Sequence, residues 1–170
     1  MVVGVLSGKT EKTMNETLNQ KQQALVAVAA CEAKDDQKTL ERILDDAFER
    51  GVLTVNEAKE TLSQLYAYTG FPRSLNALAS LQKVVAERRK KNRSVEVGCD
   101  ASPLPDDYDA LKQGAVVQTR MSGKPFDYAF APAVDYYLKA HLFGDIFARD
   151  VLTYSEREIV TVAALSEIDG

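Results

Sequence analysis

Residues 53–78, LTVNEAKETLSQLYAYTGFPRSLNAL, are the most informative stretch for the fold because one helical pattern ends within them and another begins. Thr54 and Glu57 have the spacing of a capping box, which predicts a helix over residues 55–68. Gly70 ends this pattern. The proline two residues later suits the first turn of a following helix, where the missing N–H of proline is no loss. The stretch therefore predicts two successive helices joined by a very short break.

Similar helix signals recur along the rest of the chain, and period-2 alternation is scarce. The sequence therefore predicts an all-α fold. In the helix after Gly70, the residues expected to face inward are Leu75, Leu78, Leu81 or Gln82, and Val85. The predicted helices cover residues 20–33 with a cap at Asn19 and Gln22, a segment from Asp35 and Asp36 to a stop at Gly51, residues 55–68, a helix from Pro72 to about 90, residues 106–119, a helix opened by Pro132, and a helix from the capping box of Thr153 and Glu156 to about 167.

The domain organisation follows from these patterns. Residues 1–17 are interpreted as a polar lead-in, and residues 18–170 as a single helical domain. A first repeat is expected over about residues 18–93, a connection over about 94–131, and a partial second repeat over about 132–170. The repeat is inferred because LNQKQQALVAVAACEAKD, from Leu18, matches LTYSEREIVTVAALSEID, from Leu152, at an offset of 152 − 18 = 134.

The repeat predicts an oligomer. In the first repeat the Ala-rich helix is followed by further helices, whereas the second copy stops directly after its opening helix. An amphipathic helix must bury its apolar face against another element. Either other parts of this chain or a second subunit must cover that face; we favour the second subunit and therefore expect a homo-oligomer.

Composition excludes several classes of function. The 170 residues are 45% hydrophobic and 27% charged, with a net charge of −4, which argues against a dedicated nucleic-acid surface. The basic run AERRKKNR, residues 86–93, is interpreted as a solvated helix end. Cys31, expected in the core, and Cys99 form neither C-x-x-C nor a metal-like spacing. We predict no metal or cofactor, no membrane segment and a cytoplasmic location.

Arg73 is the first candidate for a site. It lies in the first turn of a predicted helix, where the partial positive charge of the helix N-terminus disfavours a cation. The same place suits an anion, because backbone N–H groups and the guanidinium can converge on it and Gly70 permits close approach. Tyr68, at the end of the preceding helix, could hydrogen-bond the same ligand. A surface ion pair is the alternative explanation of Arg73.

His141 is the single histidine, and Asp145 follows it at helical spacing, so a carboxylate can orient the imidazole for proton transfer. A structural histidine is the alternative. Glu158 lies among apolar residues, and burial there would raise its pKa and suit it to acid–base work. Glu60, one turn along its helix from a capping residue, is a further candidate, although a solvated helix face also fits.

Two stretches resemble the carboxymuconolactone decarboxylase family, which includes the AhpD-like alkylhydroperoxidases. They are residues 53–78, with GFPRSLNAL, and residues 139–165, KAHLFGDIFARDVLTYSEREIVTVAAL, with HLFGDIFARD. The resemblance spans residues 18–170. It implies an all-helical fold of repeated units, assembly into trimers or hexamers, and active sites near subunit contacts.

The resemblance also separates two branches of chemistry. The hydroperoxidase branch carries C-x-x-C followed by a histidine, but the corresponding slot of the first repeat reads Asp35-Asp36-Gln37-Lys38. In the second repeat the slot would fall at or beyond Gly170. The decarboxylase branch needs no thiol and acts on a carboxylated lactone, an anion that Arg73 and His141 would suit.

The expected function is therefore acid–base chemistry on a small carboxylated lactone or ring compound. Arg73 would hold the carboxylate and His141 would move a proton, and the two are expected to meet around one pocket. A non-catalytic binder of small anions or an assembly protein of the same fold is the alternative. A thiol peroxidase is a third possibility, for which the cysteines give no support.

Overall fold

The computed structural model describes residues 18–168 and is all-helical over that range, as the sequence predicts. No strand occurs among these residues, and no helix there combines the length and apolar character needed to cross a membrane. The helices are α1 (Gln20–Ala33), α2 (Gln37–Glu49), α3 (Val55–Thr69), α4 (Phe71–Lys90), α5 (Ala110–Ser122), α6 (Pro132–Tyr136), a π-helix (Tyr137–Ile146) and α7 (Tyr154–Leu165).

The described chain divides into two compact units. The first contains residues 18–98 and 158–168, and the second contains residues 99–157. The division falls within α7, and each unit is described separately below.

The predicted helix boundaries in the first unit are confirmed by local hydrogen bonds. Asn19 and Gln22 form the capping box of α1, and Thr54 and Glu57 form that of α3. Gly70 ends α3 with a φ of 87°, a positive value that glycine adopts without steric cost. These caps fix the break between α3 and α4, and with it the position of Arg73.

The core of the first unit lies where α1 packs against α2, α3 and α4. It is built from leucine, valine and alanine, and its fully buried side chains include Leu25, Val28, Leu44, Leu62 and Leu65. The loop after α4 returns to α3, since the backbone N–H of Val55 donates to the carbonyl of Glu96 at 2.9 Å.

Two expectations for α4 are wrong. Leu75 is 58% exposed, whereas Leu81 and Val85 are buried, because the buried stripe of this helix runs through small residues such as Ser74 and Ala77. Arg88, in the run interpreted as solvated, is 2% exposed. Its guanidinium reaches across to the carboxylates of Asp45 and Glu49 and to the carbonyl of Ser94.

In the second unit, α5 packs closely against the π-helix. Two glycines permit this approach: an added Cβ at Gly114 would collide with the carbonyl oxygen of Lys139, and one at Gly144 with that of Ala110. The predicted helix over residues 106–119 is present as α5 and lies a few residues later than expected. The continuation from Pro132 is correct as a helix, but its wider π winding after Tyr136 has no signature in the residue periodicity.

The matching stretches of the proposed repeat both form helices. They begin at Gln20 and at Tyr154, and 154 − 20 = 134 is the offset found in the sequence. Thr153 and Glu156 exchange the hydrogen bonds of the predicted capping box, as Asn19 and Gln22 do. The arrangement of the chain as a true structural repeat stays a prediction.

Candidate functional site

Arg73 lies in the first turn of α4 and is half-buried. The N-cap of this helix is Gly70, so no side chain caps its first backbone N–H groups. Throughout residues 18–168, no carboxylate lies within ion-pair distance of its guanidinium, and no hydrogen bond to that group is formed. The surface ion pair considered as the alternative is therefore not present in the described chain. Arg73 instead faces a cavity.

This cavity has a volume of about 490 Å³ and belongs entirely to the first unit. Lys34, at the end of α1, lines it together with Arg73 and makes an ion pair with Glu167 at 2.6 Å. Among the lining residues that the structure describes, two cations thus accompany one carboxylate, an excess of positive charge. We call this space the cationic cavity; its lining residues are Ala33, Lys34, Arg73, Ser166, Glu167 and Ile168.

A buried carboxyl group, Glu32, lies near Arg73. Its side chain is 0% exposed, its Oε1 accepts a 2.6 Å hydrogen bond from Thr69 Oγ1, and its Oε2 has no hydrogen-bond partner within the described residues. Burial raises the pKa of Glu32, against the lowering effects of the Thr69 hydrogen bond and the Arg73 charge. The raised pKa favours the neutral form of Glu32, and in that form the residue does not offset the charge of Arg73.

Glu158 lines a second cavity of about 480 Å³ in the same unit, between α1 and α7. Burial raises the pKa of Glu158, as the sequence predicted, and the residue has no ion pair or hydrogen bond from its side chain in the described part of the chain. The walls are mostly apolar. We call this space the apolar groove; it is lined by Leu18, Val26, Ala30, Glu158, Ile159, Val162, Ala163, Ser166 and Glu167.

The two cavities adjoin. Ser166 and Glu167 line both, so the structure brings Arg73 and Glu158 to the opposite ends of one connected surface in the first unit. The sequence predicted these two residues but not Lys34, Ser166, Glu167 or Glu32, which have no motif of their own. Lys34 and Glu167 lie near corresponding ends of the two matching helices, and that is the signal from which their pairing could have been suspected.

His141 and Asp145 form the predicted pair on the π-helix of the second unit. Nδ1 of His141 lies 2.8 Å from Oδ2 of Asp145, and both side chains are about half exposed. An ionised carboxylate only accepts hydrogen bonds, so Nδ1 of His141 is the donor in this contact. Arg73 and His141 belong to different units, and their meeting around one pocket stays a prediction.

The remaining candidates lie on α3. Glu60 is buried at 7% exposure and lines neither the cationic cavity nor the apolar groove, and the solvated face considered for it is not what the structure shows. Tyr68 is half-buried in the last turn, next to the Thr69 that donates to Glu32. A further cavity of about 580 Å³ lies between α3 and α4, but none of the predicted site residues lines it.

The cysteines bear on thiol chemistry. Cys31 is half-buried rather than fully in the core, and burial raises its thiol pKa; Cys99 is exposed. A peroxidatic thiol needs a lowered pKa, because the thiolate is the nucleophile. The environment of Cys31 acts in the opposite direction.

Comparison of the chain with models of known protein families and with curated proteins gives no match. In the described chain, no group of three or more potential ligand side chains is placed to hold a metal ion.

Proposed function

We propose that this protein is a carboxymuconolactone decarboxylase-like enzyme that acts by acid–base chemistry on a carboxylated lactone or ring compound. The observation that carries the proposal is the cationic cavity, where Arg73 and Lys34 face one carboxylate, Glu167. A substrate carboxylate would balance that excess charge and form charge-assisted hydrogen bonds with the guanidinium. The resemblance of residues 53–78 and 139–165 supports the same assignment.

The acid–base part of the proposal uses two groups. Loss of CO₂ leaves an electron pair on carbon, and a protonated group must deliver a proton to it. The His141–Asp145 pair is proposed to move that proton, and Glu158, whose pKa is raised by burial, is proposed as the second acid–base group. Tyr68 is proposed as a hydrogen-bonding partner of the ligand. Glu60 is left out because it lines neither cavity.

The test is turnover of carboxylated lactones, followed as loss of the lactone and release of CO₂. Arg73→Ala should raise KM at least about tenfold, because it removes a charge-assisted contact with the carboxylate. His141→Ala should lower kcat by roughly a hundredfold, as expected when a general acid–base group is removed. Arg89→Ala, an exposed arginine on the same helix as Arg73, is the matched control. Full activity in both site variants would show that the assignment is wrong.

A non-catalytic anion binder is the second candidate. The cationic cavity lies wholly in the first unit and requires nothing from His141. This alternative predicts that carboxylates bind in an Arg73-dependent manner without any turnover. If the protein is an enzyme, we instead expect turnover with a pH–rate profile that has a transition near neutral pH.

We also propose that the protein is a homo-oligomer, a trimer or hexamer as the resemblance implies. Large apolar side chains are exposed in the second unit, among them Phe130 at 89%, Tyr137 at 62% and Val134 at 56%. Exposed apolar surface of this kind is characteristic of protein–protein contact.

A further inference from the structure

The apolar groove and the cationic cavity form one elongated surface with different chemistry at its two ends. At one end, Lys34 and Arg73 carry positive charge. From there the groove runs between α1 and α7, with Val26 and Ala30 on one side and Val162 and Ala163 on the other. A ligand lying along this surface contacts charged side chains at one end and apolar side chains over the rest of its length.

The length of the surface sets the size of the ligand. Glu158 and Ser166 are 166 − 158 = 8 residues apart on one helix, and Ser166 still makes the helical hydrogen bond to the carbonyl of Val162. At 1.5 Å per residue this separation is about 12 Å along the helix axis. A ligand that is held by Arg73 and also contacts Glu158 must therefore span about this distance.

We propose that the natural ligand is an amphipathic carboxylate, with its carboxylate in the cationic cavity between Lys34 and Arg73 and an extended alkyl or aryl body in the apolar groove. The inference rests on the proposed function, since the same Arg73 holds the carboxylate. It narrows the substrate class to carboxylates with an apolar body long enough to contact Glu158.

Charge complementarity fixes which end of the ligand lies where. Among its described lining residues the cationic cavity has Lys34 and Arg73 against Glu167, and a carboxylate complements this excess of positive charge. The other end offers Glu158, an acidic group that would repel a second carboxylate when it is ionised. A carboxylate group therefore binds at the Arg73 end, and apolar atoms fill the groove.

The groove walls supply affinity in proportion to ligand length. Burying a methylene stabilises a complex by about 0.8 kcal/mol when burial is complete, which corresponds to about fourfold in affinity. In a groove open along one side, we expect about two- to fourfold per added methylene. Acetate should bind weakly, and decanoate much more tightly.

Isothermal titration calorimetry on the whole chain tests this with acetate, hexanoate, decanoate, decanol and decylammonium, each kept below its micelle concentration. Affinity should rise from acetate to hexanoate to decanoate, and decanoate should bind at least about tenfold more tightly than decanol or decylammonium. Arg73→Gln should remove the preference for decanoate over decanol while leaving decanol binding in place.

Substitutions in the apolar groove test whether the apolar body of the ligand binds there. Ala163→Leu fills the groove and should abolish the dependence on chain length, whereas Ala79→Leu, at an exposed alanine of α4, should leave it intact. If Ala163→Leu fails to fold, Val162→Asp replaces it, because Val162 is 61% exposed and tolerates a polar side chain.

Three outcomes overturn the inference: affinity independent of chain length, equal binding of decanol and decanoate, or Ala163→Leu (or its replacement) behaving like Ala79→Leu. None of these measurements involves turnover. The proposed function fails separately, through unchanged lactone kinetics in the Arg73 and His141 variants.

Discussion

Glu32 is the residue in which burial and charge compete most directly. Its carboxyl group is fully buried, and the Thr69 hydrogen bond and the Arg73 charge do not offset the cost of desolvation, so its pKa is raised from 4.5. Folded chains therefore hold this proton more tightly than unfolded chains. The stability that the proton contributes is fully present below the unfolded pKa and is lost as pH rises through the folded pKa.

Glu32→Gln should remove this loss of stability at higher pH, because the amide stays neutral and its oxygen can still accept the hydrogen bond from Thr69. The free energy of unfolding, measured by urea denaturation at about pH 5 and about pH 8, should fall more steeply with pH in the parent chain than in the variant. Glu87→Gln, at an exposed position of α4, is the control. An identical pH dependence in the parent and the Glu32 variant would contradict a raised pKa at Glu32.

At the scale of elements, Arg88 joins α4 to the end of α2. It is 2% exposed and donates to Asp45 Oδ1 at 2.7 Å, Glu49 Oε2 at 2.8 Å and the Ser94 carbonyl at 3.1 Å. Hydrogen bonds from Arg88 and Arg93 lower the pKa of Glu49. Because Asp45 and Glu49 are partly exposed, water can replace part of what they would lose without Arg88.

Arg88→Met should therefore destabilise the chain by about 2 kcal/mol, which is less than for a pair buried on both sides. The neighbouring Arg89 is exposed, and Arg89→Met should change stability by no more than about 0.5 kcal/mol. Equilibrium urea unfolding of the two variants makes the comparison. Equal stability of both would mean that the Arg88 network contributes nothing beyond its surface neighbours.

At the scale of the whole molecule, the apolar surface of the second unit bears on assembly. Phe126, Tyr128 and Phe130 follow one another with ring centroids 5.9 and 6.1 Å apart, and Phe130 is the most exposed of the three. Exposed aromatic rings lose little entropy on association, and burying them provides much of the stability of a protein interface.

Sedimentation velocity at micromolar concentration should therefore show a trimer or hexamer, and Phe130→Ser should shift the distribution towards smaller species. Arg89→Ser, also at an exposed position, should leave the distribution unchanged. A stable, folded monomer of the parent chain at that concentration would refute the oligomer proposal.

Local patterns along the chain were enough to predict the fold class and nearly all of the helix boundaries, because caps, glycine stops and proline starts act over three or four residues. Asn19 with Gln22, Thr54 with Glu57 and Gly70 all behave as predicted. The His141–Asp145 contact was predictable for the same reason, since both residues lie on one turn of one helix.

The surroundings of Arg73, by contrast, could not be predicted from the sequence, because they depend on how the helices pack. Lys34, Glu167 and Glu32 reach it from elements distant in the chain, and no local pattern encodes such convergence. The burial of Arg88 and the exposure of Leu75 could not be predicted either. The sequence of a helix shows its periodicity, but it does not show which neighbouring element covers each face. Short-range hydrogen bonding depends on residues close together in the sequence, whereas charge balance and burial depend on packing between helices far apart in sequence.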